Sequence, residues 1–236
     1  MDATMLRQVA WIGDAYVQGP IRGVALSFHG LGHMAEKKSP DTVELGWARA
    51  GWLVVFPYYG PWSWMNREAR AFVDELVETV YTLYGLDSSL PLVSTGGSMG
   101  GMSALLYARY AKKPVSACVA LFPVCDFRYH FSERADLPRS IYHALRGYGS
   151  DYNALFAEHS PLEQVGSMPH VPYLFLHGDR DDAVNKAAHS DKMVAALRAR
   201  GHDVEYVEVP GMMHGQCVPV EVYARMIAFL ADFPRK

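Results

Sequence analysis

Cysteine is scarce in this chain, and Cys118, Cys125 and Cys217 are too few and too scattered for a disulfide framework or a paired-cysteine zinc site. Charge is balanced as well: 22 Lys and Arg against 25 Asp and Glu leave −3, so there is no basic field to hold nucleic acid or an anionic membrane. No apolar run reaches membrane-spanning length, and the opening MDATMLRQVAWIGDAY is too polar for a signal-peptide core. Repeats, low-complexity tracts and linkers are missing too. These absences lead us to expect one domain over residues 1–236, in the cytoplasm, with reduced thiols. Half the residues are hydrophobic, enough for a sizeable core.

What is present is an alternation of short β-type runs with longer helical patterns. GVALSFHG (23–30), WLVVFP (52–57), LPLVSTG, VSACVALFP (115–123), VPYLFLHG (171–178) and DVEYVEVP (203–210) read as strands. Strands apolar throughout belong in a sheet covered on both faces, and strand–helix alternation gives a mostly parallel, doubly wound arrangement. Between them, SPDTVELGWARAG reads as a helix with Ser39 as N-cap, Pro40 at its first position and Gly51 as its stop. In NREARAFVDELVETVYTLYG the residues Ala69, Phe72, Val73, Leu76, Val80, Leu83 and Tyr84 share one helical face. Further helices are expected from Met99, near 186–200 and near 219–233. Residues 124–166 break the rhythm, and we read them as a small cap over the sheet's carboxyl edge, where such folds bind ligands.

Gly96-Gly97-Ser98-Met99-Gly100 lies between a predicted strand and a predicted helix. GxSxG arises by chance in about one chain in ten of this length, so its context has to decide. In this context the serine occupies a strained, sharp turn, and side chains at Gly96 and Gly100 would collide with the neighbouring elements. The turn aims the positive end of the next helix at the hydroxyl, and the N–H of Met99 becomes a donor for a developing oxyanion. A serine hydroxyl still needs an imidazole base, and the imidazole needs a carboxylate. HGDRDDAV and VPGMMHGQC follow the next two strands, which sets the order Ser…Asp…His.

Taken together, SFHGLGH, GGSMGG, HSPLEQV, LFLHGDRDDAV and GMMHG resemble the α/β-hydrolase superfamily over nearly the full chain. The likeness is greatest to esterases and peptidase domains related to prolyl oligopeptidase and dienelactone hydrolase. It implies an α/β-hydrolase fold with a Ser-His-Asp triad: Ser98 as nucleophile, His214 as base, and Asp181 of the HGxxD pattern as acid. Asp182, in the adjacent register, is the alternative acid, and Asp179 stands behind both. Leu31 of the HGLGHM loop is the second implied oxyanion donor beside Met99. His177 is expected to support the acid turn, His29 to brace the loop, and Cys217 to be a small buried residue. His29 and His33 are spaced HxxxH, but with no third ligand in view neither a metal nor a cofactor is expected.

The expected activity is hydrolysis of a small-molecule ester through an acyl-enzyme, with no nucleic-acid or membrane partner and with homo-oligomerisation left open. An amidase of the prolyl oligopeptidase type is the alternative, disfavoured because the propeller or gating domain usual in such peptidases is not in this sequence. A non-catalytic ligand-binding module is the other. Tyr58, Tyr59, Trp62 and Trp64 follow a strand's carboxyl end and are candidates to line the substrate pocket, whereas most aromatics of 124–166 are expected to pack that segment onto the sheet.

Overall fold

The computed structural model describes residues 1–233. Its strands are β1 (Ala10–Ile12), β2 (Gly23–Phe28), β3 (Trp52–Pro57), β4 (Leu92–Gly97), β5 (Ala117–Leu121), β6 (Tyr173–Gly178) and β7 (Val204–Val209). They form one sheet in the order β1-β3-β2-β4-β5-β6-β7. Every neighbouring pair is parallel except β1 with β3. The helices are α1 (Ala3–Val9), α2 (Thr42–Arg49), α3 (Arg67–Leu83), α4 (Met99–Tyr110), α5 (Phe127–Glu133), α6 (Leu137–Leu145), α7 (Tyr152–Glu158), α8 (Ser190–Arg198) and α9 (Val220–Ala231).

Successive side chains of a strand point to opposite faces, and here both faces are covered. Val24, Leu26, Phe28, Leu53 and Val55 enter a core shared with α3, α4 and α8, while Ala25, Trp52 and Val54 enter one shared with α2 and α9. The chain thus folds around a mostly parallel, doubly wound sheet, as its alternating pattern led us to expect, in the α/β-hydrolase arrangement that the resemblance implied. On the second face, α9 is tied down by indole N–H groups: Trp47 donates to the Met226 carbonyl at 2.9 Å and Trp52 to that of Leu230 at 3.0 Å. A Cβ at Gly46 would lie 2.6 Å from Ile227, so glycine is what lets α2 and α9 cross this closely.

Some expectations need correcting. The cap of α2 is Asp41, not Ser39. Its carboxylate accepts the N–H groups of Val43 and Glu44, and Glu44 reaches back to the Asp41 N–H, so a capping box overrides the proline-based start. Leu83 shares the face of α3 but ends the helix 44% exposed, and Val77 is buried instead. The segment α1–β1 was not foreseen, because three residues of antiparallel edge strand carry too short a pattern to read.

Residues 124–166 form α5, α6, α7 and a 3-10 turn at Val165–Ser167. Phe127, Leu137, Ile141 and Leu145 are buried in the same core as the α3 face, while Tyr129 and Tyr142 are exposed. Trp64, in the loop after β3, packs against Phe127 and donates its indole N–H to Ser140.

Asp41→Ala removes the capping carboxylate. We expect a loss of about 1 kcal/mol, seen in a thermal melt as a midpoint lowered by about 2–4 °C.

Candidate active site

The turn between β4 and α4 is built around an absence of side chains. Ideal Cβ atoms would stand 2.5 Å from the Gly100 backbone at Gly96 and 2.2 Å from the Phe28 carbonyl at Gly100. Ser98 between them has φ 61°, a conformation that a residue with a side chain adopts only under constraint. The constraint is partly a hydrogen bond from the Ser98 N–H to the Leu121 carbonyl of β5, at 3.0 Å.

The Ser98 hydroxyl donates to His214 Nε2 at 3.0 Å, and His214 Nδ1–H donates to Asp181 Oδ2 at 2.7 Å. Three side chains from distant stretches therefore make one continuous relay. Asp181, not Asp182 or Asp179, is the carboxylate in contact with His214, and it is almost wholly buried. Asp179 instead accepts the Gly211 N–H. Burial alone would raise the Asp181 pKa, but hydrogen bonds from His177, His214 and the Val184 N–H outweigh it and hold the carboxyl well below the usual range. The loop that carries His214 is held against β6: a Cβ at Gly178 would be 2.0 Å from the Met212 carbonyl. Phe122, at φ 36°, lays its ring edge-on to the His214 ring with centroids 4.9 Å apart. Sequence reasoning missed Phe122, whose one signal was its position directly after β5.

Leu31 and Met99 flank this relay. The N–H of each has no acceptor among the described residues, and a Cβ at Gly30 would touch the Gly97 carbonyl at 3.8 Å, so the Leu31 loop lies beside the serine turn. Tyr59 and Pro61 hold that loop. Tyr59 OH donates to the His29 carbonyl at 2.8 Å, and the Gly32 N–H donates to the Pro61 carbonyl at 2.7 Å. His29 Nδ1–H donates to the Gly30 carbonyl at 3.0 Å, and burial lowers its pKa to about 4. Its ring stacks on His33.

The aromatic candidates separate. Tyr59 is buried under the Leu31 loop, and Trp64 is buried between α5 and α6, so neither side chain is free to meet a substrate. Tyr58 OH accepts the Lys37 N–H. Trp62 is 47% exposed, with its indole nitrogen near Gly32. Cys217 is exposed rather than buried, because it lies on the open loop leading to α9.

A second cluster joins the 124–166 segment to the loop that carries Asp181. Ligand atoms of His130, Glu133 and His189 lie within 4.8 Å of one another. The hydrogen bonds argue against a cation between them. His189 Nδ1 accepts the N–H groups of Cys125 and Asp126 at 3.1 and 3.0 Å, so its proton sits on Nε2 and is donated to Glu133 at 3.0 Å. A ligating histidine has the reverse arrangement, with the metal on one nitrogen and an outward N–H on the other. His130 Nδ1–H and the Asn185 N–H also donate to Glu133. Burial favours the neutral acid, but these donors prevail and hold the Glu133 pKa at about 2 against an ordinary 4.5.

A carboxyl depressed in the folded state stabilises the fold fully above its unfolded pKa, and loses that contribution as pH falls toward the folded value. The Glu133 contribution is thus complete above 4.5 and is lost as the pH drops toward about 2. Glu133→Gln should lower the melting temperature at neutral pH and erase most of that difference at about pH 3. Paired melts at the two pH values check this. Asp181→Asn leaves the relay's shape but admits the wrong imidazole tautomer, so turnover of an activated ester should fall by about four orders of magnitude in steady-state assays.

Among solved structures, the acylaminoacyl peptidase of Pyrococcus horikoshii superposes with a TM-score of 0.77 at 16% identity, covering 96% of this chain and 39% of that one. A truncated carbohydrate esterase from gut microbiota superposes at 0.71 and 16% identity, over 94% of this chain and 95% of that one. Likeness at such identities is likeness of fold. Among curated proteins, esterase LipQ of Mycobacterium tuberculosis is 30% identical over 165 residues, which is 64% of this chain but 38% of the relative. A model of the prolyl oligopeptidase family matches residues 72–234. That span is more than half of the chain and contains the turn of Ser98 and the loops of Asp181 and His214, so this protein belongs to the prolyl oligopeptidase family.

Proposed function

We propose that this protein is a carboxylesterase for small ester substrates, with Ser98 as nucleophile, His214 as general base and acid, and Asp181 as the orienting carboxylate. The observation that carries the reading is the relay itself: hydroxyl to imidazole at 3.0 Å and imidazole to carboxylate at 2.7 Å, on a serine held at positive φ. In the first half-reaction Ser98 Oγ adds to the ester carbonyl carbon as its proton passes to His214 Nε2. The carbonyl oxygen becomes an oxyanion, for which the Leu31 and Met99 N–H groups are the donors. Collapse breaks the ester C–O bond, and the alcohol leaves with the proton from His214. Water then repeats the sequence on the acyl-serine, releasing the acid and restoring the hydroxyl.

Substrate preference follows from what surrounds Ser98. Trp62, on the loop after β3, has its indole nitrogen near Gly32, and Met34 and Met213, exposed on the loops that bear Leu31 and His214, form with it an apolar rim in this reading. Such a rim suits a short apolar or aromatic acyl group. Helices α5–α7 act in this reading as a small cap, fastened to the loops after β3 and β6 by Trp64 and Glu133. The likeness to esterase LipQ supports ester chemistry. Family membership favours a second reading, hydrolysis of a peptide or acyl amide by the same residues. The chain spans 38% of that esterase and 39% of the Pyrococcus peptidase, so the activities of those whole proteins reach this chain only as proposals. No helix among the described residues is long and apolar enough to cross a membrane. We propose a cytoplasmic location, which the three free cysteines suit.

A fluorophosphonate probe should label Ser98 in the wild type and leave Ser98→Ala unlabelled. Turnover of a p-nitrophenyl ester by that variant should fall by roughly five or six orders of magnitude. Matched ester and anilide substrates separate the two readings, with kcat/KM expected to favour the ester. A larger anilide value would establish the amidase. His214 must be neutral to accept the proton, and Asp181 stays ionised, so kcat/KM should decline toward acid pH as a single ionisation. Replacing Trp62 by alanine should change the order of preference across an acyl-length series.

A further inference from the structure

Asp181 is gripped from two sides. Its Oδ1 accepts the Ala183 and Val184 N–H groups at 2.9 and 2.8 Å. Its Oδ2 accepts from His214 at 2.7 Å and also lies 3.1 Å from Nε2 of a second histidine, His177. His177 ends the apolar run of β6, is fully buried, and meets Asp181 across the turn between them. The proton on that nitrogen follows from its other neighbour. The Val184 carbonyl is 3.0 Å away and can only accept, so Nε2 carries a hydrogen that it gives to that carbonyl, with Asp181 Oδ2 beside it at 3.1 Å. At the opposite corner of the ring, Nδ1 is 2.7 Å from Ser190 Oγ at the start of α8. Both ring nitrogens are therefore fixed.

Support of the turn does not account for this contact. The Val184 carbonyl needs one donor, and any polar side chain would serve. His177 instead reaches the same oxygen, Oδ2, that accepts from His214. Charged groups facing this region have partners of their own. Asp191 of α8 is engaged by Lys186 and Tyr206, and Glu208, which pairs with His177 in the β6–β7 register, is bonded to Lys186.

We propose that His177 is a positioning residue, the far member of a His177–Asp181–His214 relay, whose Nε2–H holds the acid toward His214 and draws off part of its negative charge. This rests on the triad reading above. A carboxylate whose charge is spread over more donors attracts an imidazolium less strongly, so His177 makes His214 less basic than Asp181 alone would. A base whose pKa is kept from rising stays neutral, and therefore active, to lower pH.

The test is the pH profile of kcat/KM for a p-nitrophenyl ester. His177→Phe fills the space without a donor. It should lower kcat about tenfold with little change in KM, and move the acid limb to higher pH by about half to one unit. His177→Gln restores an N–H near the Nε2 position and should return the limb to within a few tenths of the wild-type value. A merely structural histidine would reduce kcat or yield without moving the limb, and an unmoved limb in folded His177→Phe overturns the proposal. Should that variant not fold, Ser190→Ala releases the other end of the ring, and its limb should shift in the same direction; an unmoved limb there has the same force. Fluorophosphonate labelling of wild-type Ser98 separates the two levels. An unlabelled wild type sinks the triad itself, whereas a labelled wild type with unmoved variants sinks the role of His177 alone.

Discussion

The serine turn works because two backbones come closer than any side chain would permit. The Phe28 carbonyl lies where a Cβ on Gly100 would be, and the Gly100 backbone lies where a Cβ on Gly96 would be. That approach draws the start of α4 against the end of β2 and leaves Ser98 to project its side chain while that of Met99 is buried. Strain at its positive φ is offset by the sheet on one side, through the Leu121 carbonyl, and by the first turn of α4 on the other. The Leu31 loop follows directly from β2, so the same close approach that raises the hydroxyl also places that segment beside it. Geometry of nucleophile and loop is thus set by one steric fact.

Asp181 and His214 are held by different means. Asp181 is buried and saturated with N–H donors, so its carboxylate is kept charged by hydrogen bonds and not by solvent. His214 sits on a loop leaning on Phe122 and on the close contact between Gly178 and Met212. A buried carboxylate facing a partly exposed imidazole suits the proposed proton shuttling, in which the imidazole would exchange partners while its orienting group stays in place.

Much of this was legible in the residues. Strand runs such as WLVVFP and LFLHG are apolar on both faces, so the covered parallel sheet follows from composition of single segments. The GGSMGG turn, the aspartate of HGDRDD and the histidine of GMMHG carry spacing that chemistry requires. Less legible were features set by tertiary contact. Whether Tyr59 and Trp64 would be free or buried depended on tertiary contacts that no local pattern encodes: Tyr59 packs on Phe28, His29 and Ser103, and Trp64 on the segment around α5 and α6. Asp181 and Asp182 are adjacent and chemically alike, and the three-dimensional course of the turn separates them. The Asp41 cap was readable in principle, since Glu44 follows at capping-box spacing, but the proline pulled the reading two residues early. Phe122 and the hydrogen-bond partners of Glu133 are long-range relationships that no single stretch announces.

The fastening at Glu133 has a consequence for how this scaffold can vary. One carboxylate takes donors from α5, from the Asn185 amide and from His189, and the Cys125 and Asp126 N–H groups bond the same His189 ring, so the inserted helices and the segment that follows Asp181 are joined through one compact cluster. Exchanging the insertion for another, as a route to new specificity, would therefore also unfasten the far end of the Asp181 loop. Replacements that keep Glu133 and His130 would preserve the bonds to His189 and Asn185; those that omit them would leave both groups without their carboxylate.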